Sequence, residues 1–360
     1  MTLESTAPAS CASCGLHQCY QNVEKSLAGI PLDRQAWLLD ETWAEFNAYL
    51  THSTATNPLI LLPWRGKLVQ PAGYAWRLPE CARISAMPFL TLRRALAMRR
   101  LSPQGARRQQ VLEDFDRRYA AAYGARLPYN VHRLVVWQNL LPFLHLDQTL
   151  GGREYDVLLW RAPRHVLHDR LDEAQARYPE SRTLPDYRSS PILVEAERRA
   201  LEGARLIVTA HRQLARLYPD KTHVLDWNWP GLQVTGGGGK QICFLGPTVG
   251  RRGAYAVREA MRKLNLPFAV LGKNLEDENF WNAMKVVLRP FGPNCLDGIG
   301  LLLAPALTEY KPRLLIQALQ GGIKVIATEA CGLPAMENLH WVDPYDSDAL
   351  AEKIEALRPR

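Results

Sequence analysis

The sequence predicts an α/β protein made of two doubly wound units, each a mainly parallel sheet flanked by helices. Three observations predict it. Short apolar runs of strand length alternate with longer helical tracts along most of the chain, the pattern of parallel sheets with helical crossovers. Four consecutive glycines, Gly236 to Gly239, interrupt that alternation just before Lys240, and such a run has too much conformational freedom to sit inside an element. The 360 residues are enough for two domains of ordinary size.

Taken in order, residues 1–30 are rich in small and polar types and are read as a segment outside the core. Residues 31–235 form the first unit, 236–240 the hinge, 241–346 the second unit and 347–360 a closing helical tail. In the first unit "AWLL" (Ala36 to Leu39) reads as a strand, and "TWAEFNAYL" as a helix opened by a capping box of Thr42 and Glu45. "LILLPW" (Leu59 to Trp64), "HRLVVW" (His132 to Trp137), "YDVLLW" (Tyr155 to Trp160) and "RLIVT" (Arg205 to Thr209) read as further strands. A long helical tract that includes "ILVEAERRALEGA" separates the last two. The glycine run is not a phosphate loop, because Gln241 stands where the Gly-x4-Gly-Lys-Ser/Thr pattern needs a hydroxyl. In the second unit "KQICFLG" reads as a strand and "GPTVGRRG" (Gly246 to Gly253) as a glycine-rich turn. The next helix carries Val257, Ala260, Met261 and Leu264 at i, i+3, i+4 and i+7. "FAVLG", "KVVL", "LLLAP" and "KVIAT" are the following strands, and Leu350, Ile354 and Leu357 share a face of the last helix. Two such units imply a cleft in which strand ends face each other.

Hydrophobic residues at 47% and charged residues at 22% belong to a soluble globular protein, and no apolar run reaches the ~18 residues of a membrane span. The N-terminus lacks the basic and apolar regions of a secretory signal. Seven scattered cysteines do not suggest a disulfide framework, so a cytoplasmic protein is expected. The net charge of +8 is uneven: from Gly231 onward 15 Lys and Arg face 13 Asp and Glu, which leaves +6 for the first 230 residues. Much of that excess lies between Leu90 and Gln110, where Arg93, Arg94, Arg99, Arg100, Arg107 and Arg108 interleave with Leu92, Leu96 and Met98. The tract suits either a solvated helix or peripheral contact with an anionic membrane at its inner face. No nucleic-acid recognition motif accompanies the charge.

One stretch of the second unit suggests an anion site. In "PALTEYKPRLLIQALQGGIKVIATEACGL", Pro312 suits the first turn of a helix, and Gly321 and Gly322 stop it before the next strand. A helix whose N-terminus follows a loop off a parallel sheet presents free N–H groups and partial positive charge to a phosphate.

The motifs "CFLGPTVGRRGAYAVREAMRKL", "VLG", the stretch just quoted and the terminal "DALAEKIEAL" are similar to the nucleotide-sugar domain of group 1 (family 4) glycosyltransferases. The segment "ILVEAERRALEGARLIVTAHRQLARLYPDKTHVLDW" resembles the end of that family's N-terminal domain. The likeness runs from about Ser190 to Leu357 and gives way to compatible α/β alternation over the first 130 residues. It implies two facing Rossmann-like domains (the GT-B arrangement) and transfer of a sugar from a nucleotide-diphosphate donor to an acceptor, with retention and without a metal or other cofactor. It also implies that Arg252, between Arg251 and Gly253 and following Gly250, binds the diphosphate, and that Glu309 contacts hydroxyls of the donor sugar. Lys311 and Pro312 fall beside that phosphate site. Gln317 stands where the family has a second acid, and Pro247 and Thr248 stand where it has an arginine. Lys273 and Arg289, at the ends of the next two strands, complete the donor-side candidates.

In the first unit the strand ends nominate acceptor-side candidates: Asp40, Gln138, Asn139 and Arg161. His211, which follows "RLIVTA", is a candidate for orienting donor or acceptor, or else a helix cap. Cys11, Cys14, His17 and Cys19 lie within nine residues and offer soft ligands for a metal, although the His17-x-Cys19 end is cramped. Two other functions compete. One is a nucleotide-binding scaffold that has kept the fold and weakened the chemistry, suggested by Gln317. The other is a nicotinamide enzyme, disfavoured because "GPTVGRRG" lacks the Gly-x-Gly-x-x-Gly spacing.

Overall fold

The computed structural model describes residues 34–53, 55, 57–66, 72–102, 105–229 and 238–359. The first sheet contains β1 (Arg34–Leu38), β2 (Leu59–Leu62), β3 (Arg83–Ala86), β4 (Val131–Trp137), β5 (Glu154–Leu158), β6 (Leu206–Thr209) and β7 (Thr222–Val224). The second contains β8 (Gln241–Phe244), β9 (Phe268–Leu271), β10 (Val286–Arg289), β11 (Ile299–Ala304), β12 (Lys324–Ala327) and β13 (Leu339–Trp341). The strand orders are β3-β2-β1-β4-β5-β6-β7 and β10-β9-β8-β11-β12-β13. Within each sheet the ladders are parallel. Helices α1 (Ala44–Thr51), α2 (Pro88–Arg99), α3 (Ala106–Gly124), α4 (Leu141–Leu146), α5 (Arg164–Arg177), α6 (Pro191–Glu202) and α7 (Arg212–Ala215) connect the first sheet. Helices α8 (Ala254–Leu264), α9 (Arg313–Gln320) and α10 (Ser347–Leu357) belong with the second. The molecule therefore has the two Rossmann-like units of the GT-B arrangement.

The central strands are buried on both faces, which is why they read as continuous apolar runs: Ile60, Leu134, Val135, Val136, Leu302 and Leu303 are all fully covered. The edge strands β3, β7 and β13 have no such run. Their sequences RISA, THV and LHW are short and mostly half-exposed, so hydrophobic patterning passes over them. Between β9 and β10, and again between β10 and β11, the chain makes turns instead of a crossover helix. That leaves Val287 and Leu288 on the edge strand exposed.

Two local expectations are corrected. The helix α1 begins at Ala44 after Trp43, and the capping box does not form. Thr42 Oγ1 is buried without a hydrogen-bond partner among the described residues. Glu45 is drawn instead to Arg313 of the second unit, its carboxylate accepting from Nη1 at 2.8 Å and Nη2 at 2.6 Å, and it also accepts the Asn228 N–H of its own unit at 2.8 Å. A bidentate guanidinium is a stronger partner for a buried carboxylate than one backbone N–H. Pro312 precedes α9 as its cap residue, with φ −72° and ψ 34°, and does not occupy the first turn. Of the glycine run, Gly236 and Gly237 lie outside the described residues, as does the cluster of Cys11, Cys14, His17 and Cys19.

Candidate active site

In an open parallel sheet the strand order reverses once, and the loops at that point diverge and leave a crevice. The first sheet reverses between β1 and β4, and the second between β8 and β11. Asp40 follows β1 and Asn139 follows β4; Arg251 and Arg252 follow β8, and Glu309 to Lys311 follow β11. All of them line one cleft of about 610 Å³ between the sheets, together with Arg161, Asp116, Tyr74, Arg94, Trp137 and Trp160. The topology alone places the two sets opposite each other.

On the wall of the second unit, Gly253 has φ +80° and caps α8, and a Cβ there would collide with the Pro305 carbonyl. Glycine thus lets the turn carrying Arg251 and Arg252 pack against the end of β11. Arg252 Nη1 is ion-paired with the Glu309 carboxylate. The other Glu309 oxygen accepts the Lys311 N–H at 3.0 Å. Burial and the neighbouring Arg251 lower the Arg252 pKa, while the carboxylate in contact with it holds the guanidinium charged. Arg251 lies 4.5 Å from the Tyr187 ring centre. Lys311 Nζ bridges to Glu41 at 2.9 Å and sits 5.3 Å from the ring of Trp43. Gly250 is not open to a ligand. Its N–H donates to Glu276 Oε1 at 2.6 Å and Thr183 Oγ1 at 2.8 Å.

On the wall of the first unit, Asp40 is buried and held by Arg94 through two bonds of 2.6 and 3.0 Å. Arg94, one of the tract of arginines, thus points inward, over the Tyr119 ring and against the Tyr74 hydroxyl. Asp116 is a cleft residue that the strand ends do not nominate. It lies on the buried stripe of α3 with Tyr119, Ala120 and Tyr123, and an acid on the apolar side of an amphipathic helix is the signal that marks it. Burial, with Asp40 close by, pushes its carboxyl up to about 7. Arg161 stacks over the Trp160 ring at 5.3 Å, and Asn139 Oδ1 is buried without a hydrogen-bond partner among the described residues.

The remaining candidates lie elsewhere. His211 is buried and caps α7, its Nδ1 accepting the Leu214 N–H at 3.3 Å. Those partners assign the proton to Nε2, which faces the carbonyls of Ala330 at 3.0 Å and Glu309 at 3.2 Å. Burial pushes its pKa down to about 4, so the ring is neutral. Gly332, with φ +68°, leaves room for that ring, since a Cβ there would overlap it. His211 therefore ties the first unit to the backbone of the Glu309 loop and does not line the cleft. Gln138 is fully buried, and its Oε1 accepts the N–H groups of Trp160 and Arg161 at 3.3 and 3.2 Å, which shapes the loop after β5. Pro312 is buried, and Gln317 is half-buried on α9; neither lines the cleft. Lys273 and Arg289 border a separate hollow of about 530 Å³, with Pro247, Leu275, Leu288 and Phe291. Arg289 Nη1 is itself held there by Gln241 Oε1 at 2.9 Å and the Asp297 carbonyl at 3.0 Å.

No protein-family model matches the chain, and no curated protein matches it. Among solved structures, 90% of the chain is similar to 88% of a glycosyltransferase from Rickettsia africae ESF-5, at 14% identity and a TM-score of 0.45. The same share is similar to 89% of Anabaena HepE in complex with UDP, at 12% identity and a TM-score of 0.48. It is also similar to 91% of a UDP-forming trehalose-phosphate synthase from Burkholderia vietnamiensis, at 10% identity and a TM-score of 0.44. These are likenesses of fold.

Proposed function

We propose that the chain is a glycosyltransferase that takes a nucleotide-diphosphate sugar as donor and a hydroxyl-bearing acceptor. The observation that carries this reading is the pairing of Glu309 with Arg252 at the switch point of the second sheet, facing the polar wall of the first. Breaking a glycosidic bond to phosphate develops charge on the leaving diphosphate, which preorganised cations stabilise. Arg252, Arg251 and Lys311 supply them, Arg252 by exchanging the Glu309 carboxylate for a phosphate oxygen. Glu309 is then free to accept hydrogen bonds from the sugar. The hollow beside the turn, lined by Pro247, Phe291 and Lys273, suits the nucleobase. Retention at the anomeric carbon is the course the resemblance implies, and the configuration of the product reads it directly.

Calorimetry with uridine, guanosine and adenosine diphosphates tests the reading. One of them should bind, and Arg252→Ala should weaken it by about 1.5–3 kcal/mol, the scale of a hydrogen bond between charged groups. Affinity unchanged by the substitution removes Arg252 from the site. A second reading, a nucleotide-binding scaffold, is favoured by Gln317 and by the Gly250 N–H already held by Glu276. Hydrolysis of the donor sugar by the purified protein excludes it.

No helix among the described residues is long and apolar enough to cross a membrane. Helix α2 nonetheless exposes Phe89, Leu92 and Leu96 beside Arg93, Arg99 and Arg100, while its inner face sends Arg94 to the cleft. We infer that this face rests on an anionic membrane. The protein should co-sediment with phosphatidylserine-containing vesicles and be released by salt. Equal recovery with neutral vesicles counts against it.

A further inference from the structure

Three polar groups line the first-unit wall of the cleft, and one of them has a buried atom without a partner among the described residues. Asp116 is 4% exposed and lines the cleft, where Arg161 and Arg164 favour its charged form. Asn139 Oδ1 is the buried atom left unpaired among the described residues. The Arg161 guanidinium forms no ion pair among the described residues and lies against Trp160. Buried polar atoms are ordinarily satisfied, and an orphan persists where something else supplies the bond. The indoles of Trp137 and Trp160 line the same wall, which adds apolar faces to two acceptors and a donor fork.

We propose that Asp116, Asn139, Arg161 and Trp160 form the acceptor subsite, and that the acceptor is a sugar ring with neighbouring hydroxyls. This rests on the glycosyl-transfer reading. The apolar face of the ring lies on the indole. Two hydroxyls donate to the Asp116 carboxylate and Asn139 Oδ1, and a ring or hydroxyl oxygen accepts from Arg161. A lipid tail or an apolar aglycone would leave all three groups unsatisfied.

The environment makes acceptor binding depend on pH. Asp116 faces Asp40 at the end of β1, Arg94 on α2, and Arg161 and Arg164 at the start of α5, with Glu113 one turn back on its own helix. Arg94 is already committed to Asp40, and Arg164 to Glu197, so neither arginine pairs with Asp116. Burial pushes its carboxyl up to about 7. The ionised carboxylate accepts from hydroxyls more strongly than the neutral acid does, so acceptor binding strengthens as pH rises through that range.

The test is saturation-transfer NMR with glucose, galactose, mannose and N-acetylglucosamine. The protein is first loaded with whichever nucleoside diphosphate calorimetry shows to bind. At least one sugar should bind, and more tightly at pH 8 than at pH 6. Asp116→Asn should abolish that pH dependence and weaken binding at pH 8 at least tenfold. Asn139→Ala and Trp160→Leu should also weaken it, which keeps the test open if one variant fails to fold. Binding unaffected by these substitutions but lost in Glu309→Gln would place the sugar on the donor side and overturn the proposal, as would no sugar binding at all. If no nucleoside diphosphate binds, the failure belongs to the glycosyl-transfer reading itself.

Discussion

Glu276→Ala is expected to lower the stability of the protein by about 3–5 kcal/mol, the cost of opening a buried charged network. Glu276 belongs to the second unit, between β9 and β10, and is 3% exposed. One of its oxygens accepts from Ser181 Oγ at 3.0 Å, the Gly250 N–H at 2.6 Å and Thr183 Oγ1. The other accepts from the Arg182 N–H at 3.0 Å, Ser181 Oγ at 3.1 Å and the Tyr255 hydroxyl at 3.1 Å. Residues 181–183 come from the first unit, between α5 and α6, so one carboxylate fastens the two units and also fixes the turn that leads to Arg251. Alanine removes the acceptor of the Arg182 N–H, of the Ser181 and Thr183 hydroxyls and of the Tyr255 hydroxyl, and leaves the Gly250 N–H with Thr183 Oγ1 alone, at about 1–3 kcal/mol for each buried group left unpaired. Urea unfolding followed by tryptophan fluorescence should show a lower midpoint, with a first phase in which the units separate. A loss below about 1 kcal/mol would mean that water replaces the carboxylate at little cost and that the fastening lies elsewhere.

That contact also shows where the sequence stops being legible. The central strands could be read because burial on both faces leaves an unbroken apolar run, and α8 because Val257, Ala260 and Met261 repeat at helical spacing. Glu309 and Arg252 could be placed at strand ends, because strand ends at a switch point form the crevice whatever the loops contain. Their contact with each other spans 57 positions and has no local mark. Glu45 shows the same limit. Its spacing from Thr42 fits a capping box, yet the side chain that claims it is 268 residues away. His211 and Gln138 follow strands like the cleft residues do, but their side chains turn to backbone groups of neighbouring loops. Which way a residue after a strand points is set by what packs above it, and that is a tertiary fact. Asp116 was legible in principle, as an acid inside an apolar helical stripe.

Glu309→Gln is expected to cut turnover by roughly 10²-fold or more, about 3 kcal/mol of barrier. The substitution keeps the shape of the side chain and one acceptor oxygen and removes the charge. The loop is held independently of that charge: the Glu309 N–H donates to the Ala330 carbonyl at 3.2 Å, and its own carbonyl faces His211 Nε2. The lost activity therefore reports on the carboxylate rather than on a collapsed loop. A carboxylate accepting from sugar hydroxyls fixes the ring while the bond to phosphate breaks, and it matters little to a bare nucleotide. Affinity for the nucleoside diphosphate should stay within a few-fold or rise, because Arg252 loses its internal counter-ion and meets the phosphate unopposed. The two readouts move apart only if Glu309 and Arg252 divide the donor between sugar and diphosphate. A variant that loses turnover and nucleotide affinity together would show that the pair acts as a structural strut, and full transfer activity in Glu309→Gln would remove the carboxylate from the chemistry altogether.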